Sequence, residues 1–156
     1  MFGLPERFAF QTPGRLVDGD LELVLASTTP GDPVRGWAPA YHFDMRHRRT
    51  GALLGGISLR IGHSDHIRLY AGHIGYGVRP EHRGHHYAAR SSRLLFDLAR
   101  AHGLSELWIT CNPDNEASRR TCELLGGVLV ETVDVPPTDS VYEPGGERKC
   151  RYRVEL

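Results

Sequence analysis

Three cysteines in 156 residues, Cys111, Cys122 and Cys150, are too few and too unevenly spaced for a disulfide framework or a paired metal site. Reduced thiols in a cytoplasm are the expectation. Neither sign of charge predominates, because 19 Lys and Arg meet 19 Asp and Glu. That balance argues against a nucleic-acid partner or an acidic tail. No apolar run is long enough to span a bilayer, so no membrane partner is expected. The first residues, Met-Phe-Gly-Leu-Pro-Glu-Arg, lack the basic region and apolar stretch of a signal peptide. Nine histidines are many, yet His63/His66 and His82/His85/His86 come with no Cys or carboxylate pattern, and no metal is expected. The length suits one domain, residues 1–156, with a single core.

What the chain does have is a stretch from Gly75 to Ala88, Gly-Tyr-Gly-Val-Arg-Pro-Glu-His-Arg-Gly-His-His-Tyr-Ala. It reads as a glycine-loosened strand ending in Val78, a Pro80 turn, a basic loop Arg83-Gly84-His85-His86, and a helix beginning at Tyr87. The first N–H groups of a helix have no intrahelical partner, and the helix dipole favours negative charge there. Arg83 and the adjacent imidazoles suit a phosphate or pyrophosphate.

Around it, Leu21–Ser27, Tyr41–Arg48 and Ala52–Ile61 read as strands, with Thr28–Pro39 as loop. His63–Arg68 is turn-like, and Leu69–Arg79 alternates as one long strand. Tyr87–His102 carries an apolar stripe at helical spacing and stops at Gly103. Leu107–Cys111 is a strand. Asn112-Pro113-Asp114-Asn115 caps a second helix that runs through Leu125 to Gly126-Gly127. Val128–Val135 and Cys150–Leu156 complete the strands, with Pro136–Glu147 as a long loop. Asn115, Ser118 and Cys122 share one face of the second helix.

The segment Ile74–Gly127 resembles the GNAT superfamily of acetyl-coenzyme A-dependent N-acyltransferases. The family's cofactor loop, Arg/Gln-x-x-Gly-x-Gly/Ala after a strand ending in Val-x-Pro, stands here as Arg83-Gly84-His85-His86-Tyr87-Ala88 after Val78-Arg79-Pro80. Its Asn-x-x-Ser/Ala element stands as Asn115-Glu116-Ala117-Ser118. The resemblance implies an α+β, GNAT-type fold: a central mixed, mostly antiparallel sheet of about six to seven strands, splayed between the fourth and fifth and flanked by helices. It also implies acetyl-CoA as co-substrate. Its pyrophosphate would lie on Arg83, Gly84, His85, His86, Tyr87 and Ala88, its pantetheine along Tyr76, Gly77 and Val78, with Asn115 and Ser118 in reach. The family's central loop glycine is His86 here, which either points away or adds charge.

By the same resemblance the reaction is transfer of an acetyl group to a primary amine by direct attack in a ternary complex. The place of the family's glutamate is His73, either a base acting directly or through water, or a strand histidine bonded to a neighbour. The place of its acidic tyrosine is Cys122, either a proton donor to the departing thiolate or a buried structural thiol. Tyr76 and Tyr87 are further hydroxyl candidates. Trp37, Tyr41 and Tyr142 are candidate walls for the acceptor, and Asp32, Asp139 and Glu143 are candidate partners for its ammonium. The acceptor class spans small amines, amino sugars and protein N-termini, on a monomer or homodimer. The alternatives are a non-catalytic acyl-CoA-binding module and a nucleotide- or phosphate-binding protein using the same helix start.

Overall fold

A computed structural model describes residues 8–156, and among these eight strands and three α-helices follow one another. The strands are β1 (Leu16–Asp18), β2 (Leu21–Thr29), β3 (Ala40–His47), β4 (Leu53–Arg60), β5 (Ile74–Val78), β6 (Glu106–Cys111), β7 (Val128–Asp134) and β8 (Arg148–Glu155). The helices are α1 (Tyr87–Leu94), α2 (Phe96–Ala101) and α3 (Glu116–Leu124). Strands β1 to β5 pair in chain order, and β6, β8 and β7 form a second sheet with β8 in the middle. The α+β class holds, with two corrections of detail. Every pairing is antiparallel, and β1 is an extra strand, too short to show alternation. The splay expected between the fourth and fifth strands accordingly falls between β5 and β6.

Alternation decides what is buried. On β3, Tyr41, Phe43 and Met45 point inward while His42, Asp44 and Arg46 remain partly exposed. Leu54, Ile57 and Leu59 of β4 extend the same face, and Ala89, Leu95, Leu98 and Ala99 of the helical layer cover it. Each fully buried Leu or Ile contributes about 1.5–3 kcal/mol. Tyr41, a candidate acceptor wall, belongs to this core: it is fully buried, and its hydroxyl lies 2.6 Å from His102 Nε2 and accepts the Gln11 N–H.

Two expected elements are interrupted. The single helix over Tyr87–His102 is α1 and α2, broken at Leu95. The Ser92 hydroxyl donates to the Ala88 carbonyl at 2.7 Å, a back-bond that loosens the helical ladder before the break. The long strand over Leu69–Arg79 is only Ile74–Val78, because His66–Ala71 forms a π-helical turn. Side chains from neighbouring strands take the carbonyls of that turn: Arg151 bonds Arg68, Thr110 bonds Tyr70, and Arg60 bonds Ala71 and Gly72. With its carbonyls satisfied this way, the segment has no need of a strand partner.

The chain enters β5 through a fork. Gly72 has φ +74°, and a side chain there would lie 2.9 Å from the Trp108 carbonyl oxygen. Next to it, the His73 N–H donates to the Trp108 carbonyl at 2.7 Å, and the Trp108 N–H donates to His73 Nδ1 at 2.9 Å. His73 Nε2 donates to the Gly62 carbonyl at 2.9 Å, so the buried ring is neutral and its tautomer is fixed. Beyond it the sheets part: β5 pairs only with β4, and β6 only with β8.

Replacing His73 by Ala leaves the Trp108 N–H and Gly62 carbonyl without partners and opens a void, an expected loss of about 2–4 kcal/mol by urea denaturation. Burial lowers both His73 and His102 below their ordinary 6.5. The unfolded chain therefore binds these protons first. Stability should be full above pH 6.5 and fall as the pH drops below it towards the folded-state values. Melting curves across this range should fall less steeply for His73→Ala; equal slopes would dismiss the assignment.

Candidate active site

Past the fork, the free edge of β5 faces helix α3 across a cleft of about 650 Å³. Strand β5 ends at Val78, and Pro80–His82 form one 3₁₀ turn. Arg83 is extended, and its Nε reaches the Val78 carbonyl at 3.4 Å. Gly84 turns the chain at φ +93°. His86 then adopts φ +57°, ψ +30° as the N-terminal cap of α1, with no side chain capping the helix. It is the one non-glycine residue at positive φ among the described residues. Its place is the one where glycine is the family's habit, and the backbone shape explains that habit. The uncapped N–H groups of α1 open on the cleft at the basic loop, an arrangement that favours an anion.

Ten of the eleven expected cofactor residues line this cleft: Tyr76, Gly77, Val78, Arg83, Gly84, His86, Tyr87, Ala88, Asn115 and Ser118. His85 does not. Its ring packs 5.2 Å from that of Tyr87, and its carbonyl accepts from Arg90. Arg90 also pairs with Asp18 at 2.8 Å and Asp20 at 2.7 Å, and Tyr87 donates to Asp20 at 3.0 Å, so α1 is tied to the β1–β2 hairpin. Tyr87 is thereby an anchor. Asn115 accepts from the Ser118 N–H at 3.1 Å, the cap its sequence position predicts. His82 and the α3 residues Ala117, Arg120, Thr121 and Leu124, not expected from the sequence, also line the cleft. For the four on α3, helical spacing was the available signal.

At the base of the cleft the Tyr76 hydroxyl lies 2.7 Å from Ser118 Oγ. Burial, and then the neighbouring Cys122, raise Tyr76, which therefore keeps its proton and remains a donor. Cys122 is wholly buried and lines neither cavity. Its polar contact with Cys111 and its burial push it upward, out of the titrating range. The same contact, with help from Ser118 and the Arg119 and Lys149 cations, draws Cys111 below the usual thiol range. His73 also stands outside both cavities, with each ring nitrogen engaged.

On the other side of this base is a second, smaller hollow of about 210 Å³. Tyr76, Asn115 and Ser118 line both spaces, so they form the wall between them. None of Trp37, Tyr41, Tyr142, Asp32, Asp139 and Glu143 lines either one. Asp32 instead accepts the N–H groups of Val34 and Arg35, and Asp139 bonds His66 at 2.8 Å. Trp37 stays exposed under the Arg35 guanidinium. Among the described residues no group of three or more His, Cys, Asp or Glu could hold a metal ion, and no helix is long and apolar enough to cross a membrane.

Comparison with known proteins agrees with this geometry. The sequence model of the acetyltransferase (GNAT) domain matches residues 7–128. No curated protein sequence matches significantly. Among solved structures, RimL, a ribosomal L7/L12 alpha-N-protein acetyltransferase, superposes with TM-score 0.65 at 16% identity over 99% of this chain and 100% of its own. The microcin C7 self-immunity acetyltransferase MccE, in complex with acetyl-CoA and AMP, gives 0.58 at 16% identity over 75% of this chain. The ribosomal-protein-S5-alanine acetyltransferase from Vibrio fischeri gives 0.58 at 20% over 74%. The chain spans 61% of the length of each of these last two.

The strain at His86 is open to measurement. His86→Gly should raise stability by about 0.5–1 kcal/mol, the left-handed penalty less the added freedom of the unfolded chain. His86→Val, β-branched, should lower it by more than that. Urea midpoints decide; a valine variant as stable as the parent would show that the loop takes another shape.

Proposed function

This chain belongs to the GNAT acetyltransferase family, and we propose that it moves an acetyl group from acetyl-CoA to a primary amine by direct attack in a ternary complex. The observation that carries the reading is the cleft itself, where an unpaired strand edge leads to an uncapped helix N-terminus beside Arg83. Such a site suits a ligand that is amide-bearing at one end and anionic at the other. In this reading the N–H groups of the Gly84–Ala88 turn and the Arg83 guanidinium hold the pyrophosphate, and Arg120 faces it from α3. The free backbone groups of Tyr76, Gly77 and Val78 take the pantetheine as an added strand. That alignment leaves the thioester at the wall formed by Tyr76, Asn115 and Ser118.

In the transfer a bond forms from the acceptor nitrogen to the acetyl carbon and the carbon–sulfur bond breaks. The proton lost by the amine returns to the departing thiolate. The Tyr76 hydroxyl, protonated and hydrogen-bonded to Ser118 within the wall, is the donor nearest the place where negative charge develops. His73 and Cys122 act here as positioning residues. With both nitrogens bonded, His73 holds the fork that opens the cleft, and the Cys122 thiol fills the floor beneath Tyr76.

Purified protein incubated with acetyl-CoA and a panel of amines should release free thiol in proportion to acetylated amine. Binding of acetyl-CoA without turnover on any amine would replace this reading by a non-catalytic acyl-CoA-binding module. Arg83→Ala should raise the apparent KM for acetyl-CoA by about tenfold with little change in kcat, as loss of a charge-assisted contact to the phosphates requires. A fall in kcat at constant KM would place Arg83 elsewhere in the mechanism.

A further inference from the structure

Neither space at the base of the splay has a carboxylate in its lining. The smaller hollow is lined by Ala71, Ile74, Gly75, Thr110, Cys111, Asn112 and Lys149 beyond the shared wall, with no carboxylate among them. Lys149 Nζ donates to Asn112 Oδ1, and among the described residues no carboxylate pairs with it. A second cation stands behind the rim. Arg60 donates to the carbonyls of Ala71 and Gly72, and a Cβ on Gly75 would sit 3.3 Å from its Nη2. It too has no carboxylate partner among the described residues, and burial lowers its pKa, a sign of an uncompensated charge. The carboxylates of the loop before β8 are turned to local use: Glu147 accepts the Gly145 N–H, and the Glu143 side chain lies against Gly146.

A half-enclosed space with one cation in its lining, a second behind it and no carboxylate among the lining residues repels a bare ammonium and attracts a carboxylate. The same field favours the uncharged, nucleophilic form of an amine placed there, which matters in a site whose one nearby histidine is sealed by hydrogen bonds. We propose, building on the donor reading of the larger cleft, that the hollow takes an acceptor in which the reactive amine is accompanied by a carboxylate held by Lys149, with Arg60 behind it. At about 210 Å³ the space suits the amine end of a free amino acid or of a peptide with an acidic side chain near its N-terminus.

The test is a matched panel: a plain alkyl amine, the same amine carrying a carboxylate, a free amino acid, and dipeptides with neutral or acidic second residues. The carboxylated members should show kcat/KM at least about tenfold higher, expressed in KM, and the two peptide arms separate amino acid from peptide acceptors. Lys149→Gln should collapse the advantage, Lys149→Glu should reverse it, and neither should move the Kd for acetyl-CoA. Equal rates for neutral and carboxylated amines, or an advantage that survives Lys149→Gln, would overturn the assignment. If no amine reacts, the transfer reading fails separately. Calorimetric titration of the CoA-saturated protein with an N-acetyl amino acid then decides the hollow alone: binding abolished by Lys149→Gln supports it, and no binding overturns it.

Discussion

The reciprocal bonds between His73 and Trp108 determine where the two sheets part, and the cleft exists because they part there. A backbone carbonyl would ordinarily accept the Trp108 N–H in a continuing ladder. Here an imidazole nitrogen accepts it instead, while the His73 carbonyl turns to the Arg60 N–H at 2.7 Å. One residue thus ends the inter-sheet ladder without leaving a buried donor unsatisfied. Gly72, with positive φ and no room for a side chain against Trp108, lets the chain turn into that position. Everything on β5 beyond Ile74 then has one hydrogen-bonding edge free. A single interaction therefore creates both the stability of the fork and the open edge that the proposed ligand would occupy.

This arrangement constrains chemistry as well as shape. A histidine whose two nitrogens are committed to Trp108 and Gly62 is held neutral by burial and has no lone pair facing either cavity. Its place just before β5 matches that of the family's glutamate, yet its hydrogen bonds tie it to Trp108 and Gly62. Proton management passes to groups that do reach the wall between the cavities. Tyr76 keeps its proton because burial raises it, and in the proposed reading Lys149, with Arg60 behind it, would oppose protonation of an amine in the smaller hollow.

Much of the site was legible in the sequence because its parts are local. The turn from Val78 through Pro80 and Gly84 into α1, and the Asn115 cap of α3, depend on near neighbours, and the structure places them where their residue types put them. What could not be read depends on distant partners. The strand over Leu69–Ala71 gives way to a π-helical turn because Arg60, Thr110 and Arg151 reach its carbonyls from three other strands. The helix break at Leu95 follows from a serine back-bond that periodicity does not register. His85 turns away because Arg90 is drawn toward Asp18 and Asp20, residues about seventy positions earlier. The alternation that made His73 part of a long strand said nothing of Gly62 or Trp108.

The departures of this chain from its family's habits separate on the same physical ground. At His86 the requirement is a backbone angle, and histidine meets it at the cost of some strain, so the loop keeps its form with a different side chain. At His73 and Cys122 the requirement was a side-chain group in the cavity, and neither residue presents one there. A cleft built from backbone N–H groups and a strand edge would tolerate such exchanges, because the contacts proposed for its ligand do not depend on them. The acceptor side has no such insurance. In the proposed reading its character is set by Lys149 and Arg60, two side chains with no carboxylate partner among the described residues, and selectivity for the acceptor would be where this chain has most room to differ from its relatives.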